Sequence, residues 1–481
     1  MVGKNVIQIA GNQFSAGLGT SDYLGDGGIG TDSQNINLVS DPGVVRATYS
    51  YAQSMPGGIS PTQFIASAED ASATTSNGRI AVDMSGNWYK INQSGITSPT
   101  TGSGSIYFNP VTDMVAFNNF NFATTSTNMA RFNPSTNSLT ENYWQGTCGQ
   151  SPLNANVPHS LLVYQNLMFL ASGNKLYSIT TGDVATLVLT LDASEIILSL
   201  GIDPGSGLMI LGVGTVSDGS ETYGGRYYIE LYDGYSAKVR RKIPIEGRPN
   251  GFQSVGGPLY ASVDNTICLW NGNGMSFLRR LKNVTYSSNT LVNRHRMTTM
   301  QNTLLVADGS DLIAYGDVQN GKKVWYPLYT NSGTGLQNDV IAFIGNNTGA
   351  SSGLSPIVAT FTTASGVGKS YYIEPLNKTG VGSGVFSTNN IFLERPVHVN
   401  EMEVFTTGIS TTAGIGGVAI IDESNNVIQP EVYKFVVTSG TQYRFLFKFG
   451  GTKFRIIQPR ITIDTQSFGI VKANIYYEPA E

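Results

Sequence analysis

Charged side chains are scarce in this chain: Asp, Glu, Lys and Arg make up 13% of its 481 residues, about half of the roughly 25% usual in soluble domains. Long helices fill their exposed faces with Glu, Lys and Arg, so the shortage argues against a helical fold. Cysteine is down to two, Cys148 and Cys268, and histidine to three, His159, His295 and His398. Two cysteines so far apart make no disulfide framework and read as small apolar core residues. None of the histidines has a His, Cys or carboxylate at zinc-ligand spacing, so each reads as a surface or packed side chain and no metal is expected. No run approaches the ~18 apolar residues of a membrane span. The richest apolar stretch, 195–214, is broken by Asp203-Pro-Gly205. The opening ten residues are too polar for the apolar core of a signal peptide, so no export signal is expected.

What is abundant points to one class. There are 56 Gly, 24 Tyr and 21 Phe, amid much Ser, Thr and Asn. Aromatics on pleated strands and small polar residues at tight turns are the composition of an all-β protein. The net charge of −4 is small for this length. It argues against a dedicated sequence-specific nucleic-acid binder, which usually carries a basic excess, but leaves room for a neutral ring through which DNA passes.

A pattern recurs between about 78 and 380: a turn of Gly, Asn, Asp or Ser leads into a short strand bearing an aromatic. It reads Ser85-Gly-Asn-Trp-Tyr-Lys-Ile-Asn92, Asn128-Met-Ala-Arg-Phe-Asn-Pro134, Ser172-Gly-Asn-Lys-Leu-Tyr-Ser-Ile179 and Gly224-Gly-Arg-Tyr-Tyr-Ile-Glu-Leu-Tyr232. It continues as Asp264-Asn-Thr-Ile-Cys-Leu-Trp-Asn271, Gly309-Ser-Asp-Leu-Ile-Ala-Tyr-Gly316 and Gly368-Lys-Ser-Tyr-Tyr-Ile-Glu-Pro-Leu376. Successive turns are about 42, 45, 52, 40, 45 and 59 residues apart, near the ~40–50-residue period of four-stranded propeller blades. Seven units predict a seven-bladed β-propeller over 65–386. A β-sandwich with regularly spaced turns is the competing architecture.

The two ends lack the repeat. Residues 1–64 hold the glycine-rich stretch 17–31 and two short strands around Asp41-Pro-Gly43. They read as an extended N-terminal arm that completes the ring or reaches a neighbour. From 387 to 481 strands lengthen and alternate strictly, as in Tyr443-Arg-Phe-Leu-Phe-Lys-Phe449 and Ile470-Val-Lys-Ala-Asn-Ile-Tyr-Tyr477. Period-two alternation marks a half-buried antiparallel sheet, here a separate C-terminal β-sandwich-like domain.

Sites of chemistry were sought and none is predicted: no catalytic, cofactor-binding or metal-binding residue. Gly205-Ser-Gly207 lacks the outer glycines of a nucleophile elbow. Thr363–Ser370 ends in Gly-Lys-Ser like a phosphate loop, but Thr363 stands where glycine is needed and Tyr371-Tyr-Ile373 continues as a strand, not a helix. Asp308-Gly-Ser-Asp311 and Asp218-Gly-Ser-Glu221 read as hairpin turns, lacking the alternating oxygens of a calcium loop. Other carboxylates are too scattered to nominate an acid/base pair. Basic residues cluster at Arg240-Arg-Lys242, at Arg279-Arg280 with Lys282, and at Arg294-His-Arg296. They are either solvated strand ends or the lining of a channel that touches DNA phosphates without sequence preference.

The Gly/Ser/Thr/Asn-rich all-β composition, the arm Asn35-Ile-Asn-Leu-Val-Ser-Asp-Pro-Gly-Val-Val-Arg46, the aromatic repeats and the alternating C-terminal domain together resemble tail proteins of double-stranded DNA bacteriophages. The layout is similar to nozzle or tail-hub proteins of short-tailed phages, closest in size and order to the packaged-DNA-stabilisation hubs. That resemblance covers most of the chain, rests on architecture and carries over no functional residue. It implies a non-enzymatic virion component without cofactor, assembled in the host cytoplasm. It further implies a homo-oligomeric ring, a hexamer, around the DNA exit, contacting an adaptor and a needle or fibres. Two other classes stay open. One is a receptor- or glycan-binding propeller that displays Trp88, Trp270 and Trp325. The other is a polysaccharide-degrading enzyme with carboxylates converging at the propeller centre. Burial of the indoles between blades favours a scaffold.

Overall fold

Short alternating segments bounded by Asn, Asp and Gly satisfy their backbones most simply by folding back on themselves. The computed structural model describes 111–281 apart from 156 and 216–224, and outside that span the strands named below together with 70–72, 449 and 480. Among the described residues the only helical element is the single π-helical turn Tyr143–Thr147.

Six four-stranded antiparallel sheets follow one another along the chain, each a simple meander. Sheet 1 is Phe64–Glu69, Arg79–Asp83, Trp88–Asn92 and Gly95–Thr100. Sheet 2 is Asp113–Phe117, Phe120–Thr124, Met129–Asn133 and Ser138–Thr140. Sheet 3 is Leu161–Tyr164, Leu167–Ser172, Lys175–Ile179 and Ala185–Thr190. Sheet 4 is Glu195–Ile202, Met209–Thr215, Tyr227–Tyr232 and Arg241–Ile245. Sheet 5 is Pro249–Ser254, Leu259–Val263, Thr266–Trp270 and Met275–Arg280. Sheet 6 is Met297–Met300, Thr303–Asp308, Asp311–Gln319 and Lys322–Thr330. The hairpins are tight where the sequence allows it. Asn118-Asn119 and Gln165-Asn166 both take positive φ, between 46° and 64°, the left-handed pair that matches the strand twist in a two-residue turn.

By its internal contacts the chain divides into two compact units, 52–310 with 333–373, and 1–51 with 311–332 and 374–481. In the first, the opening strand of each sheet lies against the opening strand of the next, from sheet 1 through to Met297–Met300. Adjoining first strands with fourth strands outermost is the arrangement of propeller blades. Apolar clusters fill the spaces between consecutive sheets. Trp88 and Met114 join sheets 1 and 2, Phe122 and Met168 join 2 and 3, Phe169 and Leu200 join 3 and 4, and Ile229 and Trp270 join 4 and 5. Each such buried aromatic or branched side chain contributes about 1.5–3 kcal/mol. Gly212 lets sheets 4 and 5 close up, since a Cβ there would come within 2.9 Å of the Pro249 ring.

Among the described residues there are six four-stranded blades, not the expected seven. The first six aromatic repeats all fall on third strands. The seventh is also a third strand, Gly368–Ile373, but its sheet holds only Leu336–Gln337 and Ile357–Thr363 besides, and no fourth strand pairs with it among the described residues. The next strand, Gly384–Ser387, pairs instead with Lys453–Ile463 in the C-terminal sheet. A repeat recognised by one strand does not report whether its neighbours complete a blade.

In the second unit an eight-stranded antiparallel sheet runs Asn5–Ala10, Phe468–Pro479, Ile391–Gly408, Lys453–Ile463, Gly414–Ile421, Tyr433–Val437. Gly384–Ser387 pairs with Lys453–Ile463, and Gln442–Lys448 with Ile391–Gly408. The first strand of this sheet comes from the segment 1–64 that reads as an extended arm. Asn5–Ala10 is the edge of this sheet, with Ile7 opposite Ile475 and Ile9 opposite Ala473. Its Val-Ile-Gln-Ile alternation is itself a strand pattern, and Ile9 is buried. Ile36–Asn37 and Arg46–Ala47 pair with each other; the glycine-rich 17–31 and the Asp41-Pro-Gly43 turn lie outside the described residues.

Candidate functional site

The side chains singled out in the sequence are mostly engaged in holding sheets together. Trp88 is buried and stacks on Phe132 of sheet 2 at 5.2 Å. Trp270 is buried and donates its indole N–H to Asp203 Oδ1 of sheet 4 at 2.9 Å. Trp325 is buried against Tyr315, ring to ring at 4.8 Å. His159 is fully buried, with Nε2 3.0 Å from Ser126 O and Nδ1 3.3 Å from Ala171 O. Burial pushes its pKa down, so the imidazole is neutral and donates to one of these carbonyls. His398 is half-buried on Ile391–Gly408, and His295 lies outside the described residues. Burial raises both thiols, Cys148 and Cys268, which keeps them protonated and poorly nucleophilic.

Several of the clustered basic residues have partners within the chain, although Arg240, Arg241 and Arg280 are exposed and only Arg279 is buried. Arg240 bonds the Asp233 carboxylate at 2.8 Å, and Arg241 donates to Asn273 Oδ1 at 2.8 Å. Arg279 is buried with its guanidinium 3.6 Å from the Asp308 carboxylate, so a candidate channel residue and a candidate calcium ligand answer each other. Arg241, Lys242, Arg279 and Arg280 sit on fourth strands, the ones farthest from the adjoining first strands. An axis along the first strands would not be lined by them. Lys282, Arg294, Arg296 and Asp218–Glu221 lie outside the described residues, and Gly368-Lys-Ser370 is strand, without a helix terminus to cradle phosphate.

The sequence left the carboxylates scattered, yet two converge. Glu195 opens the first strand of sheet 4, Glu230 lies on its third and Lys242 on its fourth. The Lys242 ammonium bonds Glu195 Oε1 and, at 3.0 Å, Glu230 Oε1. It also sits 4.3 Å over the Tyr228 ring. The Glu230 side chain is 1% exposed, its Oε2 has no hydrogen-bond partner, and burial raises its pKa despite the bond to Lys242. For Lys242 the two carboxylates outweigh burial, and its pKa is raised. Glu230 and Lys242 are cross-strand partners, legible once the strands are known, whereas Glu195 arrives from 35 residues upstream of Glu230.

Glu195 also borders a cleft of about 520 Å³ lined by Trp144, 150–154, Val157, 172–175, Tyr177, Ala193 and Ile196. Local chemistry builds its walls. The π-helical turn buries Trp144, whose indole N–H donates to Ser151 O at 2.8 Å. Trp144 meets Tyr177 edge to face at 5.2 Å. Gly173 takes φ +61°, turning the chain so that its carbonyl accepts from Ile197 N at 2.9 Å. The Asn174 amide donates to Leu191 O at 2.9 Å. Asn154 is held by its backbone N–H on Ser172 Oγ at 3.3 Å, which leaves its side chain at the rim. Apart from the repeat 172–179, nothing in the sequence singled out this place, because its parts come from sheet 3, the start of sheet 4 and the connection between sheets 2 and 3.

No protein-family model matches the chain, and no curated protein matches it. Among solved structures it is similar to PorZ, described as an essential bacterial surface component of the type-IX secretion system of Porphyromonas gingivalis. That likeness has 12% identity and a TM-score of 0.39 and covers 71% of this chain but 45% of PorZ. A protein of unknown function from Bacteroides caccae matches at 13% identity and TM-score 0.30, over 52% of this chain and 93% of its own. Kluyveromyces lactis Hsv2 matches at 7% identity and TM-score 0.33, over 69% of this chain and 95% of its own.

Proposed function

We propose that this chain is a non-catalytic structural protein, and, on the resemblance set out above, a nozzle or hub component of a bacteriophage tail. The observation that supports a scaffold is the use of Trp88 and Trp270 between sheets: residues that a recognition surface would display are spent on joining blades. The pairing of Arg240, Arg241 and Arg279 with partners in the same chain points the same way. In this reading the protein forms a ring around the DNA exit, with neighbouring copies and distal tail parts docked on its outer surfaces.

The test is direct imaging and mass measurement of the purified full chain at micromolar concentration. Closed rings of a defined number of copies, with a hexamer expected, support the proposal, and incorporation into DNA-filled particles completes it. A stable monomer that neither forms rings nor joins particles overturns it. A depolymerase activity on host polysaccharide that survives purification would overturn the non-catalytic part.

A further inference from the structure

The cleft bounded by Trp144, Tyr177 and Glu195 has no part in the scaffold just described. Its volume of about 520 Å³ falls within the roughly 300–1,000 Å³ usual for small-ligand sites. Its lining divides sharply. Tyr177, half-buried and packed edge to face on the buried Trp144, forms the aromatic wall, while the rim carries the side chains of Asn154, Asn174 and Lys175.

These rim groups have bonding capacity to spare. Asn154 and Lys175 are exposed, and among the described residues neither side chain makes a hydrogen bond or ion pair. Asn174 uses its amide N–H on Leu191 O and keeps its amide oxygen as an acceptor. Glu195 is buried in the wall, its Oε1 bonded to Lys242 and its Oε2 accepting from Asp192 N, so its carboxylate is already engaged.

Side-chain amides offer a donor and an acceptor in fixed relative geometry, which suits neighbouring hydroxyls. An aromatic wall suits the C–H face of a ring that is polar at its edge. A phosphate ligand would call for a helix N-terminus or several cations, and the rim has a single free ammonium among the described residues. A wholly apolar ligand would leave the amides unpaired, at a cost.

We infer that this cleft binds a saccharide unit, with Lys175 placed to pair with a sugar carboxylate, so that uronic-acid glycans are its preferred class. The inference does not rest on the phage reading; it adds a recognition site to a scaffold of any origin. The ring lies against Tyr177, its hydroxyls on Asn154 and Asn174. No bond is made or broken.

The experiment titrates the full chain with trigalacturonate and, separately, with the neutral maltotriose, by isothermal calorimetry and by indole fluorescence. Saturable binding of trigalacturonate is expected, at least tenfold tighter than maltotriose. Asn154→Ala should weaken it about tenfold. Lys175→Ala should bring the two sugars to within about twofold of each other. Both positions are exposed, so the variants are expected to keep the wild-type circular dichroism and melting temperature, and a variant that did not would be replaced by Asn154→Ser or Lys175→Gln. Absence of saturable binding of either sugar at millimolar concentration overturns the site. Binding unaffected by both substitutions overturns its location, and equal binding of the two sugars by wild type overturns the preference for acid.

Discussion

Asp113, at the start of sheet 2, accepts the backbone N–H of Leu161, at the start of sheet 3, at 2.7 Å. The bond is one of a series. Asn121 of sheet 2 accepts from Ala71 and donates to Glu69 O beside sheet 1. Ser160, before sheet 3, accepts from Leu200 N of sheet 4, and Ser199 of sheet 4 donates to Pro249 O of sheet 5 at 2.8 Å. Sheets 1 to 5 are thus fastened in series by buried polar side chains, where an unmet partner would be expensive.

Asp113→Ala removes the acceptor of Leu161 N and strands that buried donor between two sheets. Bonds to a charged group of this kind are worth about 1.5–3 kcal/mol. Urea unfolding of the variant should show a loss in that range with little change in the slope. A loss below about 0.5 kcal/mol would mean the two sheets re-pair without it.

Glu230 supplies a pH signature. Burial raises its pKa above the unfolded value, so the folded state holds the proton more tightly. Its contribution to stability is complete below about pH 4.3, the unfolded carboxyl value, and is lost as pH rises through the folded value. Glu230→Gln should flatten the fall in stability between those two values. Melting temperatures of both proteins from pH 4 to 8 read this directly, and parallel curves would refute it.

The opposite sign applies to Asp203. Burial alone would raise its pKa, but donors from Ser206, Gly205 and Trp270 outweigh it and hold the carboxyl low. Its stabilisation is present above the unfolded value and disappears as pH falls through the folded one. Trp270→Phe deletes one buried donor while keeping most of the ring volume, and should cost about 1–3 kcal/mol at pH 7. The deficit should shrink in acid. A pH-independent deficit would assign the loss to packing alone.

Asn5–Ala10 is expected to behave as part of the C-terminal sheet. Ile9→Asp would place an unpaired carboxylate at a buried position opposite Ala473, an expensive change that the edge strand avoids by detaching. Amide exchange across 470–478 should then accelerate at least tenfold while 161–215 keeps its protection. Unchanged exchange at 470–478 would show that the strand's pairing contributes nothing.

Much of this architecture is readable from side chains taken a few at a time. Gly-Asn and Asn-Asn turns followed by an aromatic strand announce hairpins, and the repeat Trp88, Phe132, Tyr177, Tyr232, Trp270, Tyr315 marks the third strand of each sheet. The count of blades was not readable, because Gly368–Ile373 carries the same signal with no fourth strand paired to it among the described residues. The edge strand Asn5–Ala10 has a legible alternation, but its partner lies more than 450 residues away.

The sequence by itself determined the all-β class, the blade-scale period and the positions of the aromatic strands, since alternation, turn geometry and composition are local properties of the chain. Only the tertiary structure decided that Arg279 answers Asp308, that Lys242 joins Glu195 to Glu230, and that Trp144, Asn154, Lys175 and Glu195 border one cleft. Those relationships depend on which sheet edges meet. Meeting is set by the summed fit of many side chains over long sequence separations, which no local pattern encodes.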